Sequence, residues 1–405
     1  MLIKNKIPKS EPVVSIGLVL PEDRKESIKI IDLQKNQSLK IDYNFDGKKL
    51  PYSKYHLSSI CVGRGFHWEK QIEINIEGEL KIRFIDGALL ITNQITLEKY
   101  LASVATSEMS GDCPPALLEA QTIAARSWLL AANEQKHIKL GLDACNDDCC
   151  QRYQGTDFIT TSAQKAVNNT IGQVLVFNGH ICDARYSKSC GGISENNENV
   201  WQMEPKPYLR SIFDGENLRI PKFDSSSNLK KWMNTEQNCY CSPKFVQKNN
   251  LNKYLGHVDK TKSYFRWRVQ FTQQDLIKLI YNKTGQHYDY IQSLEPIKRG
   301  ISGRIIQLDI HGINKGIQLI KTINSEYEIR RILHPDFLFS SAFIIEANSK
   351  NNSIPVSFTF IGAGWGHGVG LCQIGALGMA LANKSAYEIL FHYYSDTEIK
   401  TLYTI

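Results

Sequence analysis

The sequence predicts an α+β fold on two observations. Period-two alternation fills residues 13 to 91, and from Thr96 the pattern turns helical and forms a hairpin of two helices. The alternating runs are Val13-Val-Ser-Ile16, Ile28-Lys-Ile30, Ile72-Glu-Ile-Asn-Ile76, Leu80-Lys-Ile-Arg-Phe84 and Leu89-Leu-Ile91. Asp-Gly and Glu-Gly pairs between them read as breaks between antiparallel strands, so an N-terminal β-rich domain is expected over 1–91.

In the helical stretch, Leu97, Tyr100, Leu101, Val104 and Glu108 recur at spacings of three and four and share one helical stripe. Gly111 stops this helix, and Pro114-Pro115 opens a second one running through Leu117 to Leu130. Glu108 therefore points where Leu and Val point, toward the interior or a cleft. Burial disfavours the charged form of a carboxylate, which suits an acid that must keep and then donate a proton near neutrality. The alternative is a glutamate in the last turn that reaches back to solvent.

Residues 92–213 form the first part of a core that packs this hairpin with antiparallel strands. Strand-like segments return at Val174–Phe177, Phe265–Phe271, Ile305–Ile310 and Phe343–Ile345. Between them, 214–262 reads as a polar insertion of loop character, with Ser225-Ser-Ser227 and Gln247-Lys-Asn-Asn250. Residues 263–405 form a β-rich segment that ends in a glycine-rich loop, Gly364-Trp-Gly-His-Gly-Val-Gly370, before a helical-looking stretch from Gln373. That loop lacks GxxxxGK[ST] and does not open a βαβ unit with GxGxxG, so phosphate and dinucleotide binding are set aside.

At 405 residues and 42% hydrophobic content the chain has ample material for two or three domains. A net charge of +7 without a long Lys/Arg block makes an acidic polymer a plausible partner and nucleic acid a poor one. No apolar run approaches the roughly 18–20 residues of a membrane span. Met1 to Ser10 is basic but leads into Glu11-Pro12, without the apolar core of a secretory signal.

Ten cysteines are too sparse for a disulfide-held scaffold, yet Cys145, Cys149 and Cys150 cluster, with His137 eight residues before the first. Thiolates and an imidazole in one loop could build a tetrahedral structural zinc site, while a disulfide or free thiols remain open. Cys239-Tyr-Cys241 is too small a signal to assign. Cys190 and its neighbouring serines find no histidine or aspartate with a motif-level claim to activate a nucleophile.

Three motifs in order, YLASVATSEMSGDCPPALLEAQTIAARSWLLA (100–131), RYSKSCGGIS (185–194) and GAGWGHGVGLCQIGALGMA (362–380), resemble the SpoIID/LytB family. That family includes sporulation peptidoglycan lytic transglycosylases and amidase enhancers. The resemblance runs from about Ile91 to the C-terminus and weakens across 214–262. It implies that Glu108 is the catalytic acid/base and that 92–213 and 263–405 are two parts of a catalytic core. It also implies work in the cell envelope on peptidoglycan glycan strands, with a cell-wall amidase as a further partner.

The resemblance extends to other positions. Arg126, in the AAR motif, is expected to orient the acid or bind a muramoyl carboxylate, against a surface or structural ion-pair role. Tyr208 and Arg210 of PYLRS, and Tyr186 and Ser187 of RYSKSCGG, are expected to line the substrate groove. Where the family usually has lysine or valine this chain has Arg210, which hardly ever deprotonates. His367 and Gln373 are candidates for sugar binding. The family's common HCQVY becomes CCQRY here, so Cys149 would replace a histidine ligand in a zinc set of His137, Cys145, Cys149 and Cys150.

Lytic cleavage of the bond between N-acetylmuramic acid and N-acetylglucosamine needs one carboxylic acid, whereas hydrolytic glycosidases usually use two. One well-placed glutamate is therefore compatible with the lytic transglycosylase that the resemblance implies, yielding 1,6-anhydromuramoyl ends, and the sporulation branch of the family implies glycan stripped of peptide as its substrate. The competing expectation is a cell-wall-binding protein that activates an amidase without cutting. A zinc hydrolase is disfavoured, because thiolate-rich closed sites are usually structural.

Overall fold

The computed structural model describes every residue except 67–68, 217–218, 224, 236, 256–262 and 350–353. The chain divides into two compact units, Met1–Ala184 with Asn252–Lys260 and Thr397–Ile405, and Arg185–Leu251 with Thr261–Asp396. The architecture is mixed α and β in both.

Unit one is built on a seven-stranded sheet of β1 (Val13–Val19), β2 (Ile28–Asp32), β3 (Gln37–Ile41), β4 (Lys49–Val62), β5 (Lys70–Ile85), β6 (Ala88–Thr96) and β7 (Ala144–Cys145). Its order is β3-β2-β4-β5-β6-β1-β7, antiparallel except for the β1–β7 pair. The alternation in β5 buries Ile74, Ile76, Leu80 and Ile82 on one face, as a half-buried strand requires.

Asp86-Gly87 makes the expected hairpin: both residues have positive φ (50° and 81°), and Ile85 pairs with Ala88. Glu77-Gly78 does not. Strand β5 runs straight through it, with Gly78 extended at a φ of 145° against β6. A Cβ there would lie 2.2 Å from Asn93 Oδ1 and 2.6 Å from the Gln94 carbonyl, so this glycine marks a close strand approach rather than a turn. The boundary expected at residue 91 falls inside β6, which continues directly into helix α1 (Leu97–Glu108).

Helix α1 is buried at every position except Lys99, so it lies inside the unit rather than on its surface with one apolar stripe. Helix α2 (Pro115–Ala131) packs on α1, on α3 (Thr161–Asn169) and on β8 (Gln173–Phe177). Strand β8 is the centre of a small antiparallel sheet, between His180–Ile181 and the C-terminal strand Glu398–Thr401.

Unit two contains two three-stranded antiparallel sheets. In one, Pro355–Ala363 lies between Arg266–Thr272 and Phe343–Ser349; in the other, Ile305–Asn314 lies between Tyr290–Arg299 and Ile317–Ile323. Trp267, Leu276, Ile280, Leu308, Phe343 and Phe360 belong to their shared core. A short parallel bridge joins Tyr186–Ser187 to Leu371–Cys372, and the helices Gln373–Leu381 and Ala386–Tyr393 follow.

The 214–262 segment is not a plain loop. It carries the helices Ser226–Asn234 and Lys248–Tyr254, and the serine run supplies an N-cap, Ser225 Oγ accepting from Asn228 N at 3.2 Å. Residues 256–262 at its end lie outside the described residues. Among the described residues, no helix is long and apolar enough to cross a membrane.

Gly78→Val is expected to lower unfolding stability by about 1–3 kcal/mol, through strain at a backbone conformation open chiefly to glycine. Denaturant unfolding measures it; an unchanged midpoint would mean that β5 and β6 do not approach as described.

Candidate active site

Glu108 is the last residue of α1 and is 8% exposed. Its Oε1 accepts from the backbone N of Arg152 at 3.1 Å. The same segment closes on α1 at three further points. Tyr100 donates to Gln151 Oε1 at 3.1 Å, Gln154 N donates to Ser107 Oγ at 3.2 Å, and the Tyr100 and Tyr153 rings stack at 5.3 Å. Gln151 reaches on to α2, donating to the Ala125 carbonyl at 3.1 Å. Residues 151–154 therefore form a strap across the end of the helix, and this strap supplies the glutamate's backbone partner.

On the far side of Glu108 the chain turns sharply. Met109 bridges to Leu255, and Ser110 N donates to the Tyr254 carbonyl at 3.0 Å. Gly111 follows, where a Cβ would lie 2.5 Å from Thr160.

The strap begins where the cysteine cluster ends. His137 Nε2 lies 3.6 Å from Cys149 Sγ, and Cys145 Sγ lies 3.2 Å from the same sulfur. One donor atom from each of His137, Cys145, Cys149 and Cys150 falls within 4.8 Å of all the others. Cys145 is held by β7, and the loop between the cysteines is anchored by Asp147, which accepts from Gly63 N at 2.7 Å and Arg64 N at 2.8 Å. Thiol donors from Cys145 and Cys150, and then the His137 ring, hold the Cys149 sulfur well below the usual thiol range. Three sulfurs and one imidazole nitrogen at such separations are a donor set that fits a tetrahedral thiophilic cation.

Arg126 is fully buried. Its Nε donates to Glu98 Oε1 at 2.9 Å, a second guanidinium nitrogen contacts Glu98 Oε2, and Nη1 donates to the Gln173 carbonyl at 3.0 Å. Glu98 also accepts from Tyr403 Oη at 2.7 Å and Gly172 N at 3.3 Å. Of the roles the sequence left open, this geometry is that of a structural ion pair tying α1, α2 and the β8 sheet together. Glu98 lies on the first turn of α1, a position at which an exposed acid would be unremarkable, so its spacing carried no sign of the partner.

The remaining candidates lie in unit two. His367 Nδ1 accepts from Val369 N at 3.1 Å, and its ring sits edge-on to Trp201 at 4.8 Å. Arg185 lies over the other ring system of this group, 4.5 Å from the Trp201 centroid. Burial first, then the positive charge of Arg185, pushes the His367 imidazole well below its ordinary range. Gln373 and Ser187 are buried, Tyr186 is half-buried, and Tyr208 is buried within the 207–208 turn. Arg210 is held by Glu198, with one nitrogen 2.8 Å from Oε1 and another 2.5 Å from Oε2.

The glycine loop turns through positive φ at 364, 366, 368 and 370. At Gly370 a Cβ would fall 2.0 Å from the Arg185 carbonyl, so the loop can lie against the 185–190 segment only without a side chain there. Arg185 opens the RYSKSCGGIS motif but was not singled out there, and Trp201 lies in none of the three motifs; an aromatic next to a basic residue in space is visible only after folding.

Comparison with known proteins gives two family matches. Residues 86–177 match the family described as Stage II sporulation protein, SpoIID, and residues 195–370 match a domain of unknown function, DUF8618. The chain is 27% identical over 326 residues to an uncharacterised protein of Brachyspira hyodysenteriae, covering 80% of this chain and 72% of the relative. It is 25% identical over 319 residues to stage II sporulation protein D of Bacillus amyloliquefaciens, covering 75% and 74%. It is also 25% identical over 311 residues to the amidase enhancer of Bacillus subtilis, covering 74% of this chain but 40% of that protein.

Arg126→Met removes one partner of a buried ion pair and is expected to destabilise the chain by about 3–5 kcal/mol. Chemical denaturation reads this out, and a change under about 1 kcal/mol would contradict the structural role.

Proposed function

We propose, from the match of residues 86–177 to the SpoIID family and the similarity to proteins named stage II sporulation protein D, that this chain is a peptidoglycan lytic transglycosylase in which Glu108 is both acid and base. The observation that carries this reading is the placement of a single buried carboxylate at the end of α1, with Arg152 N–H on one oxygen and the 151–154 strap fixing the helix that bears it.

In the first half of the reaction the Glu108 carboxyl gives its proton to the glycosidic oxygen between N-acetylmuramic acid and N-acetylglucosamine, and the bond from C1 to that oxygen breaks. In the second half the resulting carboxylate takes the proton of the muramic 6-hydroxyl as O6 bonds to C1. The first proton leaves on the N-acetylglucosamine hydroxyl, the proton from O6 restores the Glu108 carboxyl, no water is consumed, and the product carries a 1,6-anhydro ring. Charge developing at C1 requires no enzymic nucleophile in this scheme.

His137, Cys145, Cys149 and Cys150 would hold zinc in this reading. The ion would supply a rigid cross-link rather than reacting chemistry. What the chain's own residues do is hold the strap, through Gln151, Arg152 and Gln154, against the acid's helix. In unit two, His367, Gln373, Tyr186, Ser187, Tyr208 and Arg210 remain the residues proposed to contact sugar. Arg126 is left out of that set because its guanidinium is taken up by both Glu98 oxygens and the Gln173 carbonyl. Work on peptidoglycan places the chain, in this proposal, in the cell envelope.

One observation favours a second reading. Similarity to a protein named amidase enhancer supports a chain that binds wall polymer and stimulates an amidase without cutting.

Product analysis on purified, peptide-free glycan separates the two. Wild type is expected to release 1,6-anhydromuramoyl ends, and Glu108→Gln to lower their formation by about 10²–10⁴-fold at unchanged stability. Ends that never appear, or that appear equally with both proteins, contradict the mechanism, and stimulation of an amidase in their absence favours the second reading. Chelation is expected to remove zinc and, through the strap, to lower activity and thermal stability together; loss of zinc with neither change would sink the positioning role.

A further inference from the structure

We infer that unit two binds a second thiophilic divalent cation, of the zinc class, on Cys190, Asp214, Cys241 and Cys372. These four residues come from distant parts of the chain, and their exposures are 2%, 0%, 3% and 0%. One sulfur or carboxylate oxygen from each lies within 4.8 Å of all the others. The inference is independent of the proposed activity.

The separations are those of a coordination shell. Tetrahedral bonds of about 2.3 Å to sulfur and about 2.0 Å to oxygen place two sulfurs about 3.8 Å apart, and a sulfur and an oxygen about 3.5 Å apart. Cys190 Sγ lies 3.8 Å from Cys241 Sγ and 3.5 Å from Asp214 Oδ2. A disulfide needs its sulfurs at about 2.05 Å, and one between any two of these residues would strand the third sulfur beside a buried carboxylate.

The surroundings are built for negative charge on the ligand atoms. Cys190 N and Gly375 N donate to Cys372 Sγ at 3.1 and 3.3 Å, Gly192 N donates to Cys190 Sγ at 3.3 Å, and Cys241 N donates to Asp214 Oδ2 at 3.1 Å. Cys372 is also the N-cap of the helix Gln373–Leu381, where the exposed amides favour an anion. Asp214 Oδ1 is oriented by Tyr393 Oη at 2.6 Å and faces His392 Nε2 at 3.7 Å, which leaves Oδ2 turned toward the sulfurs. Amide donors to thiolate and a hydrogen-bonded carboxylate are the outer partners that metal ligands use.

The position explains what the ion would do. Cys190 ends the 185–190 segment that pairs with Leu371–Cys372, and Cys372 directly follows the glycine loop bearing His367. Glycine-rich backbone is entropically expensive to order. A four-point cross-link at its end fixes the loop and brings in the 214 and 241 segments, which sequence reading treated as a polar insertion.

The test uses the full chain carrying Cys145→Ser and Cys149→Ser, so that the His137 set cannot contribute. Purified with reductant and without chelator, it is expected to retain about one equivalent of zinc by elemental analysis. It should also take up Co²⁺ with a thiolate-to-cobalt charge-transfer band, a readout that needs no further substitution. Adding Cys372→Ser should abolish both, while adding Cys239→Ser, a nearby buried thiol outside the set, should leave both intact. Metal below about a tenth of an equivalent in the starting chain, no charge-transfer band, or a Cys190–Cys241 disulfide found by peptide mapping would each overturn the inference.

Discussion

A helix buried at every position but Lys99 has little surface on which to leave a charge, and α1 carries a buried carboxylate near each end. Much of unit one follows from that constraint. At the start of the helix, Glu98 is neutralised by Arg126 from α2 and capped by Tyr403 and Gly172, which draws the C-terminal segment and the β8 sheet onto the helical layer. At its end, Glu108 and Ser107 are met by the backbone of the 151–154 strap. The strap in turn is held by loop geometry upstream: a short parallel strand at Cys145, the Asp147 carboxylate on the 63–64 backbone, and the cluster of sulfurs and imidazole. One end of the helix is closed structurally, and the other by the element that positions the proposed acid.

One cluster of soft donor atoms lies in each of the two units. Each lies immediately beside a segment that needs fixing: the strap in one case, the glycine loop in the other. Small donor clusters of this kind suit places where the backbone is irregular and cannot be held by a helix or a ladder. Six of the ten cysteines, scattered in sequence, are gathered in space in these two clusters.

What could be read from the sequence was what local chemistry dictates. The 3.6-residue period marked α1 and α2, alternation marked β5 and β6, and Asp86-Gly87 announced its own hairpin. Cys145, Cys149, Cys150 and His137 could be grouped because they are close along the chain. What escaped depends on partners far away. Glu77-Gly78 looks like a turn unless Asn93 and Gln94 are known to lie against it. The partner of Arg126 is twenty-eight residues earlier, on another helix. Cys190, Asp214, Cys241 and Cys372 have no common spacing at all, and Ser225 looked like loop composition when it is a cap. Helix α1 itself was legible, but its burial at every position except Lys99 was not, since Ser103, Thr106 and Ser107 read as polar until their neighbours are in place.

The central claim is that one carboxylate shuttles one proton and that the sugar's own hydroxyl, rather than water, attacks. Cleavage of peptide-free glycan in water enriched in oxygen-18 tests this most directly, because the two chemistries differ by one water-derived oxygen at each new muramoyl end. Intramolecular attack predicts products with no incorporated label under conditions where a hydrolase control takes up one atom per cut. One labelled oxygen per bond cleaved by this chain would contradict the account.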